Sequence, residues 1–336
     1  MISVHHPTVT VLMPVYNGVA FLREAIDSVL NQTFNDFEFL IIDDASTDGS
    51  VALIESYTDP RIQLVRNEKN MGQVATLNKG LSLAKGKYIA RLDQDDVCLP
   101  SRFQKQVTLL NKRPEIAVVG TLIQGMNEQG QAIDIRGMAV DDRVAFIAYL
   151  LLGDCPLGHP SVLFRREVAI ESGSYDTSFA PAEDYELWCR LASQRQEAFV
   201  ISEPLLRHRV HIYQQSQKKS SIQLEQLARA HQKFLSLFCA GEVSSLSFLL
   251  KRSHLFWKSC STKDQKDFTF NELNTLLRNV RSFFGLNSTE YAKIEKIFYK
   301  RLGYGVKWGT KFVHCPSFLF YPLFFALSPQ WALEAF

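Results

Sequence analysis

Three carboxylates fall within four residues at Asp93-Gln94-Asp95-Asp96, directly after the apolar stretch Tyr88–Leu92. Ionised carboxylates this close repel one another and need a positive partner. A hard divalent cation, Mg²⁺ or Mn²⁺, is the natural one, because it takes carboxylate and phosphate oxygens together. A solvated Asp-rich turn is the other reading of D-x-D-D taken alone. Two more polar clusters also follow apolar runs: Asp43-Asp44 after Phe37–Ile42, and Pro14-Val15-Tyr16-Asn17 at the end of Val9–Pro14. Glu183-Asp184 opens a strongly patterned stretch that ends at Ala192. Carboxylates there either complement a helix dipole or act as a base that takes the proton of a hydroxyl group.

The elements that must position these groups alternate. Val9–Pro14, Phe37–Ile42, Ile62–Arg66, Tyr88–Leu92, Ile116–Gln124, Ser161–Arg165 and Ala198–Ser202 read as strands. Between them, Ala20–Leu30, Ser50–Ser56, Gln73–Ala84, Pro100–Asn111, Val140–Leu152 and Asp184–Ala192 carry helical spacing or capping signals. Alternation of this kind predicts an α/β fold with a Rossmann-like, mainly parallel sheet flanked by helices. In open α/β sheets ligands bind at the carboxyl ends of the strands, which is where the polar clusters fall. After about Gln214 the alternation stops, and residues 220–300 read as several helices. This predicts a catalytic unit over 1–216 and a helical, basic and aromatic C-terminal appendage over 217–336.

The chain has 336 residues and a formal charge of only +2. That sum conceals a split: residues 1–216 hold 20 Lys+Arg against 27 Asp+Glu, a balance of −7, and residues 217–336 hold 17 against 8, a balance of +9. Three of the four tryptophans, Trp257, Trp308 and Trp331, lie in the basic part. The six cysteines form no C-x-x-C pair, as expected of reduced thiols. No signal peptide is visible at Met1–Pro7, and no apolar run reaches 18 residues. The longest apolar run, Pro316–Ser328, is 13 residues long and broken by Pro322. As a helix it would cover about 20 Å of a core about 30 Å thick.

Seven segments follow one another in the order and spacing of a known family: PVYN (14–17), IIDDASTDGS (41–50), NMGQVATLNKGL (70–81), KGKYIARLDQDD (85–96), HPSVLFRRE (159–167), EDYELWCRL (183–191) and HRVHIYQQS (208–216). The set resembles the family 2 glycosyltransferases, which are inverting enzymes with the GT-A fold, and it covers about residues 8–216. The resemblance implies that Pro14, Tyr16, Asn17 and Asp44 line the donor-nucleotide site, with Asp44 reading the base ring. It implies that Gly72 and Asn78 close around the same pocket, that Asp93 faces the ribose or sugar, and that Asp95 and His211 serve a divalent metal on the donor diphosphate. Asp184 matches the catalytic base, with Glu183 beside it. There are departures. Gly18 stands where many members have Glu, and Leu77 where many have Arg before the Asn. A pyrophosphate-facing arginine must then come from elsewhere, with Arg91 and Arg209 as the candidates. His208 stands where Tyr is common and is expected to be a packed ring. His159 is read equally as a sugar contact or a turn residue, and Trp188 as a core residue or a stacking platform.

These features together lead us to expect a metal-dependent inverting transferase. It would move a sugar from a nucleotide-diphospho-sugar, a UDP-sugar foremost, to a hydroxyl of a growing glycan or lipid-linked acceptor in cell-surface polysaccharide synthesis. A nucleotidyltransferase of similar fold is the alternative, but Asn17-Gly18-Val19-Ala20 supplies no basic, Gly-rich loop. A non-catalytic nucleotide-sugar-binding module is the other, and the carboxylates at 93, 95 and 184 argue against it. No G-x-G-x-x-G follows the first strand, which argues against a dinucleotide oxidoreductase. No nucleic-acid partner is expected. The expected location is cytoplasmic, with a peripheral contact at the inner face of the membrane through the basic and apolar residues 300–330. A helical lid packed on the catalytic unit is the competing reading of the C-terminal region.

Overall fold

The computed structural model describes residues 6–211, 214, 220–238 and 270–302. The chain runs β1 (Val9–Val15), α1 (Val19–Leu30), β2 (Phe37–Asp43), α2 (Ser50–Glu55), β3 (Ile62–Arg66), α3 (Gln73–Leu83), β4 (Tyr88–Arg91), β5 (Val97–Cys98), α4 (Arg102–Lys112), β6 (Ile116–Met126) and β7 (Ala132–Arg136). It continues with α5 (Arg143–Leu151), β8 (Leu163–Arg165), α6 (Arg166–Glu171), α7 (Glu183–Ser193), β9 (Glu197–Arg209), α8 (Ser220–Leu235), α9 (Phe270–Phe284) and α10 (Ser288–Leu302).

The strands form one sheet in the order β3-β2-β1-β4-β8-β6-β9-β5, with β7 added to β6. The expected parallel arrangement occupies one half, where β3, β2, β1 and β4 all run the same way. In the other half β8 runs antiparallel to both β4 and β6, while β6 and β9 run parallel. Side chains on a strand alternate between faces. Val9, Val11 and Met13 of β1 therefore enter the core shared with α1 and α4, and Leu12 enters the core on the opposite face.

That second core extends past residue 216. Ala230, Phe234 and Leu235 of α8, Leu277 and Val280 of α9, and Ile294 and Phe298 of α10 are buried with Val144, Leu150, Leu187 and Trp188. Arg143 pairs with Glu290 at 2.7 Å, and Lys293 reaches Asp141 at 2.8 Å and Asp142 at 2.7 Å. The described C-terminal helices thus pack on the sheet-bearing part of the chain. The expected membrane contact lies almost wholly outside the described residues. No described helix is long and apolar enough to cross a membrane.

Candidate active site

The polar clusters converge at the carboxyl ends of β1, β2 and β4, as the alternation of strands and helices led us to expect. Asn17 adopts a left-handed φ of 50°, a conformation Asn tolerates better than most residues. Its Oδ1 accepts from Thr47 N–H at 2.8 Å, and its own N–H donates to Ser46 Oγ at 3.0 Å. The ends of β1 and β2 are laced together this way. Tyr16 is about half exposed beside them. Pro14 lies in register with Ile42 on β2.

Gln94, the residue between the first two aspartates, is a member of the site that motif reading missed. Its Oε1 accepts from Tyr16 N–H at 2.8 Å and its Nε2 donates to the Tyr16 carbonyl at 3.2 Å. This ties the carboxylate loop to the end of β1. A Cβ at Gly18 would lie 2.4 Å from the Gln94 amide, so a larger residue there would displace Gln94.

Asp44 is buried and accepts from Asn67 Nδ2 at 2.7 Å, Met71 N–H at 2.8 Å and Gly72 N–H at 2.9 Å. It therefore shapes the loop before α3. Gly72, with φ 84° and ψ 159°, occupies a backbone region that is essentially glycine's alone.

Among the described residues, Asp93, Asp95 and Asp96 can each place one oxygen within 4.8 Å of the other two. Their surroundings differ. Asp96 is fully buried; both its oxygens lie 3.1–3.2 Å from His208 Nδ1, and it accepts Arg209 N–H at 3.0 Å. Asp93 is ion-paired with Arg91. Asp95 Oδ2 lies 2.8 Å from His211 Nε2, and the His211 ring stands 4.9 Å from that of Phe21. Clustered carboxylate oxygens suit Mn²⁺ or Mg²⁺. Asp95 and His211 could hold such an ion, with Asp93 facing it. His208 is not merely a packed ring. Burial alone would lower its pKa, but contact with Asp96, and Asp95 and Asp93 beyond it, raise it to about 9.

Three expectations need correcting or refining. Arg209 does not face outward toward a diphosphate. It is 1% exposed, lies over the Phe21 ring, pairs with Glu24, and donates to the carbonyls of Asp95 at 3.1 Å and Glu128 at 2.8 Å. It braces the carboxylate loop from beneath. Asn78 does not point its amide into the nucleotide pocket either. Its Nδ2 donates to the Tyr175 carbonyl at 2.8 Å and its Oδ1 accepts Tyr175 N–H at 3.0 Å. Arg91 is also buried, and it faces the carboxylates. Besides its pair with Asp93, its positive charge opposes the upward pKa shifts of Glu183 and Asp184.

Glu183 and Asp184 form the first turn of α7. Burial, followed by repulsion from Asp184, raises the Glu183 carboxyl to about 7. Asp184 is raised too, chiefly by burial, and its Oδ1 accepts Tyr185 N–H at 2.8 Å. His159 begins a short 3-10 turn; its Nε2 lies 2.9 Å from Tyr175 Oη, and burial then Arg91 hold it neutral. Trp188 is fully buried with its ring 6.3 Å from that of His159, so it is a core residue and no stacking platform. Glu183 Oε2, Arg91 Nε and Trp188 Nε1 are buried without a hydrogen-bond partner among the described residues.

A metal-suited carboxylate group and a raised acidic pair both feel the charge of the buried Arg91. Residues 10–171 match the family model "Glycosyl transferase family 2". The O-antigen biosynthesis glycosyltransferase WbnJ of Escherichia coli is 31% identical over 258 residues, which span 75% of this chain and 93% of WbnJ. This chain belongs to the family 2 glycosyltransferases. Among solved structures, the glycosyltransferase resembles TarS 1-349 of S. aureus in complex with UDP-GlcNAc, with a TM-score of 0.58, 16% identity, and coverage of 88% of this chain and 92% of that one. It also resembles a mannosyltransferase of Pyrobaculum calidifontis in complex with GDP-Man and Mn²⁺, with a TM-score of 0.53, 17% identity, and coverage of 90% and 82%. At these identities the likeness shows the fold, and the fold is GT-A. Glu183, Asp184, His208 and His211 all lie beyond the segment that the family model matches.

Proposed function

We propose that this glycosyltransferase is an inverting, metal-dependent enzyme that transfers a sugar from a UDP-sugar to a hydroxyl of a glycan or lipid-linked acceptor during polysaccharide assembly. One observation carries the reading: the buried Arg91 pairs with Asp93 of the Asp93–Asp95–His211 group and its charge also acts on Glu183 and Asp184. Inversion needs a base on the acceptor side and charge neutralisation on the leaving-group side, and two carboxylate groups divide those tasks. WbnJ, by its name an O-antigen enzyme, supports the polysaccharide context, and TarS, solved with UDP-GlcNAc, supports the nucleotide.

In this reading Asp184 accepts the proton of the acceptor hydroxyl. Glu183, beside it, adds a second carboxyl to the acceptor side. Asp95 and His211 would hold a Mn²⁺ or Mg²⁺ ion, which supplies a charge sink for the departing diphosphate. Asp93 orients the ribose or sugar, and the lacing of Asn17, Ser46 and Thr47 shapes the base pocket beside Tyr16 and Asp44. The enzyme works at the cytoplasmic face of the membrane. A screen of nucleotide-sugars for thermal stabilisation in the presence of Mn²⁺ tests the reading, because a ligand that binds the folded state raises Tm. Stabilisation by a UDP-sugar that disappears in Asp95→Ala is the expected result. Equal stabilisation with and without metal would contradict it.

A further inference from the structure

Helix α8 lies outside the family-matched segment and follows the last of the metal-site residues, yet it grips the strap that leads into the acidic pair. The strap, Ser174–Ala182, joins α6 to α7 and ends at Glu183. Its first half is held from the donor side, where Asn78 of α3 pairs with both backbone polar groups of Tyr175. Its second half is held from α8. Arg229 Nη1 donates to the Ser178 carbonyl at 3.0 Å, and Gln223 Nε2 donates to the Pro181 carbonyl at 3.2 Å. The Arg229 guanidinium lies 4.4 Å from the centre of the Phe179 ring, and Lys233 Nζ lies 4.9 Å from it. Phe179 is buried beneath these two cations, which attract the face of its ring. Lys233 also reaches Glu186, one turn into α7, at 2.9 Å.

The opposite side of α8 has a different task. Ala230, His231, Phe234 and Leu235 are buried in the common core, whereas Arg229 is exposed except where it touches the strap. Removing the Arg229 side chain therefore leaves the core seat of the helix intact and cuts only its hold on the strap. A base must stand within hydrogen-bond reach of the hydroxyl it serves, and small displacements of such groups cost rate steeply.

We propose that Arg229, supported by Gln223, is a positioning residue for transfer: α8 holds the Ser174–Ala182 strap, and through it Glu183 and Asp184, at a fixed distance from the donor side. The inference rests on the proposed role of Glu183–Asp184 as the acidic pair that handles the acceptor. It gives the first helix of the C-terminal region a part in catalysis, so a ligand or surface that displaced α8 would alter turnover.

The test uses the full chain with Arg229→Ala, Arg229→Lys and the double variant R229A/Q223A. Amide hydrogen exchange over residues 174–184 is expected to quicken tenfold or more in R229A/Q223A, with β1, β2 and β4 unchanged. Arg229→Lys should return it to within about threefold of wild type, since Lys can also donate to Ser178 and lie over Phe179. Calorimetric titration with Mn²⁺ and UDP should give a Kd within twofold of wild type for every variant. With the donor picked out by the thermal screen, kcat should fall tenfold or more in R229A/Q223A while donor KM stays within twofold. Unchanged exchange at 174–184, or unchanged kcat, would overturn the inference. Exchange that quickens across the whole sheet would also overturn it, because Arg229 would then be a stability residue. Wild-type protein that binds no UDP with Mn²⁺ would overturn the donor reading beneath it, a failure distinct from the other two.

Discussion

Asn78 and Tyr175, 97 positions apart in sequence, are joined by two hydrogen bonds, one donated and one accepted by the Asn78 amide. The pairing copies the hydrogen bonding of two strands and makes α3 the anchor for the strap leading to Glu183–Asp184. Asn78→Ala leaves both Tyr175 backbone groups without this partner, and unpaired buried groups cost about 1–3 kcal/mol. The expected outcome is a lower Tm and a tenfold or greater fall in turnover, with UDP affinity within twofold of wild type. Calorimetry on the variant decides between positioning and direct donor contact, because a donor ligand would lose UDP affinity in proportion.

Arg91 is a buried cation that faces both carboxylate groups. Arg91→Leu removes the counter-charge of Asp93 and the attraction that favours ionised Glu183 and Asp184. Breaking a fully buried pair costs about 3–5 kcal/mol. Asp93 is 28% exposed, which brings the expected loss nearer to about 2–3 kcal/mol. Arg91→Lys should retain part of the stability. Chemical denaturation of the two variants checks the order wild type, Lys, Leu.

The pH dependence of turnover follows from the acidic pair. Burial, then repulsion from Asp184, raises Glu183 to about 7, and burial raises Asp184 as well, with Asp93 adding to both shifts and Arg91 opposing them. Tyr175 also faces the pair and stays neutral, its hydroxyl pKa raised first by burial. Asp184 accepts a proton only when ionised, so the acidic limb of activity should lie above the ordinary aspartate value of 3.8. Glu183→Gln removes the neighbouring charge and should move the acidic limb of the kcat profile down by roughly one unit. A limb that stays in place in that variant would place the titration elsewhere.

Stability should also depend on pH through α8. His231 is buried against Leu151 and Tyr185, and burial holds its pKa down at about 4, against 6.5 for a free histidine. The unfolded chain therefore binds a proton between those values that the folded chain does not. The cost is absent above pH 6.5 and grows as pH falls toward 4, reaching about 2–3 kcal/mol. Denaturation midpoints between pH 7 and pH 4.5 should fall less in His231→Gln than in wild type.

Much of this architecture was legible in sequence where one residue type did one job. Runs such as Phe37–Ile42 and Tyr88–Leu92 are buried on both faces, and the polar residues after them mark the strand ends. Strand β9 was harder to read: it runs from Glu197 to Arg209, whereas Ala198–Ser202 alone has a strand's pattern. Glu203-Pro204 interrupts it, and the sheet absorbs the interruption by shifts of register against β6 around Leu122. The two-residue β5 and the half-exposed β7 carry too few apolar positions to register. In the site, side chains that act on distant backbone escaped notice. Gln94 pairs with Tyr16 and Asn78 with Tyr175, and neither contact leaves a local pattern. Arg209 showed the reverse: a basic residue beside a carboxylate motif suggested phosphate binding, but Asp95, Glu128 and Glu24 had already claimed it.

The assignment of Asp184 as the base is tested most directly by Asp184→Asn in a transfer assay paired with calorimetry. The amide cannot take the acceptor proton, and a general base contributes about 10²–10⁴-fold to rate. The expected result is UDP binding with Mn²⁺ within twofold of wild type and transfer reduced by about a thousandfold. Transfer at near wild-type rate by Asp184→Asn, with UDP binding intact, would contradict the assignment.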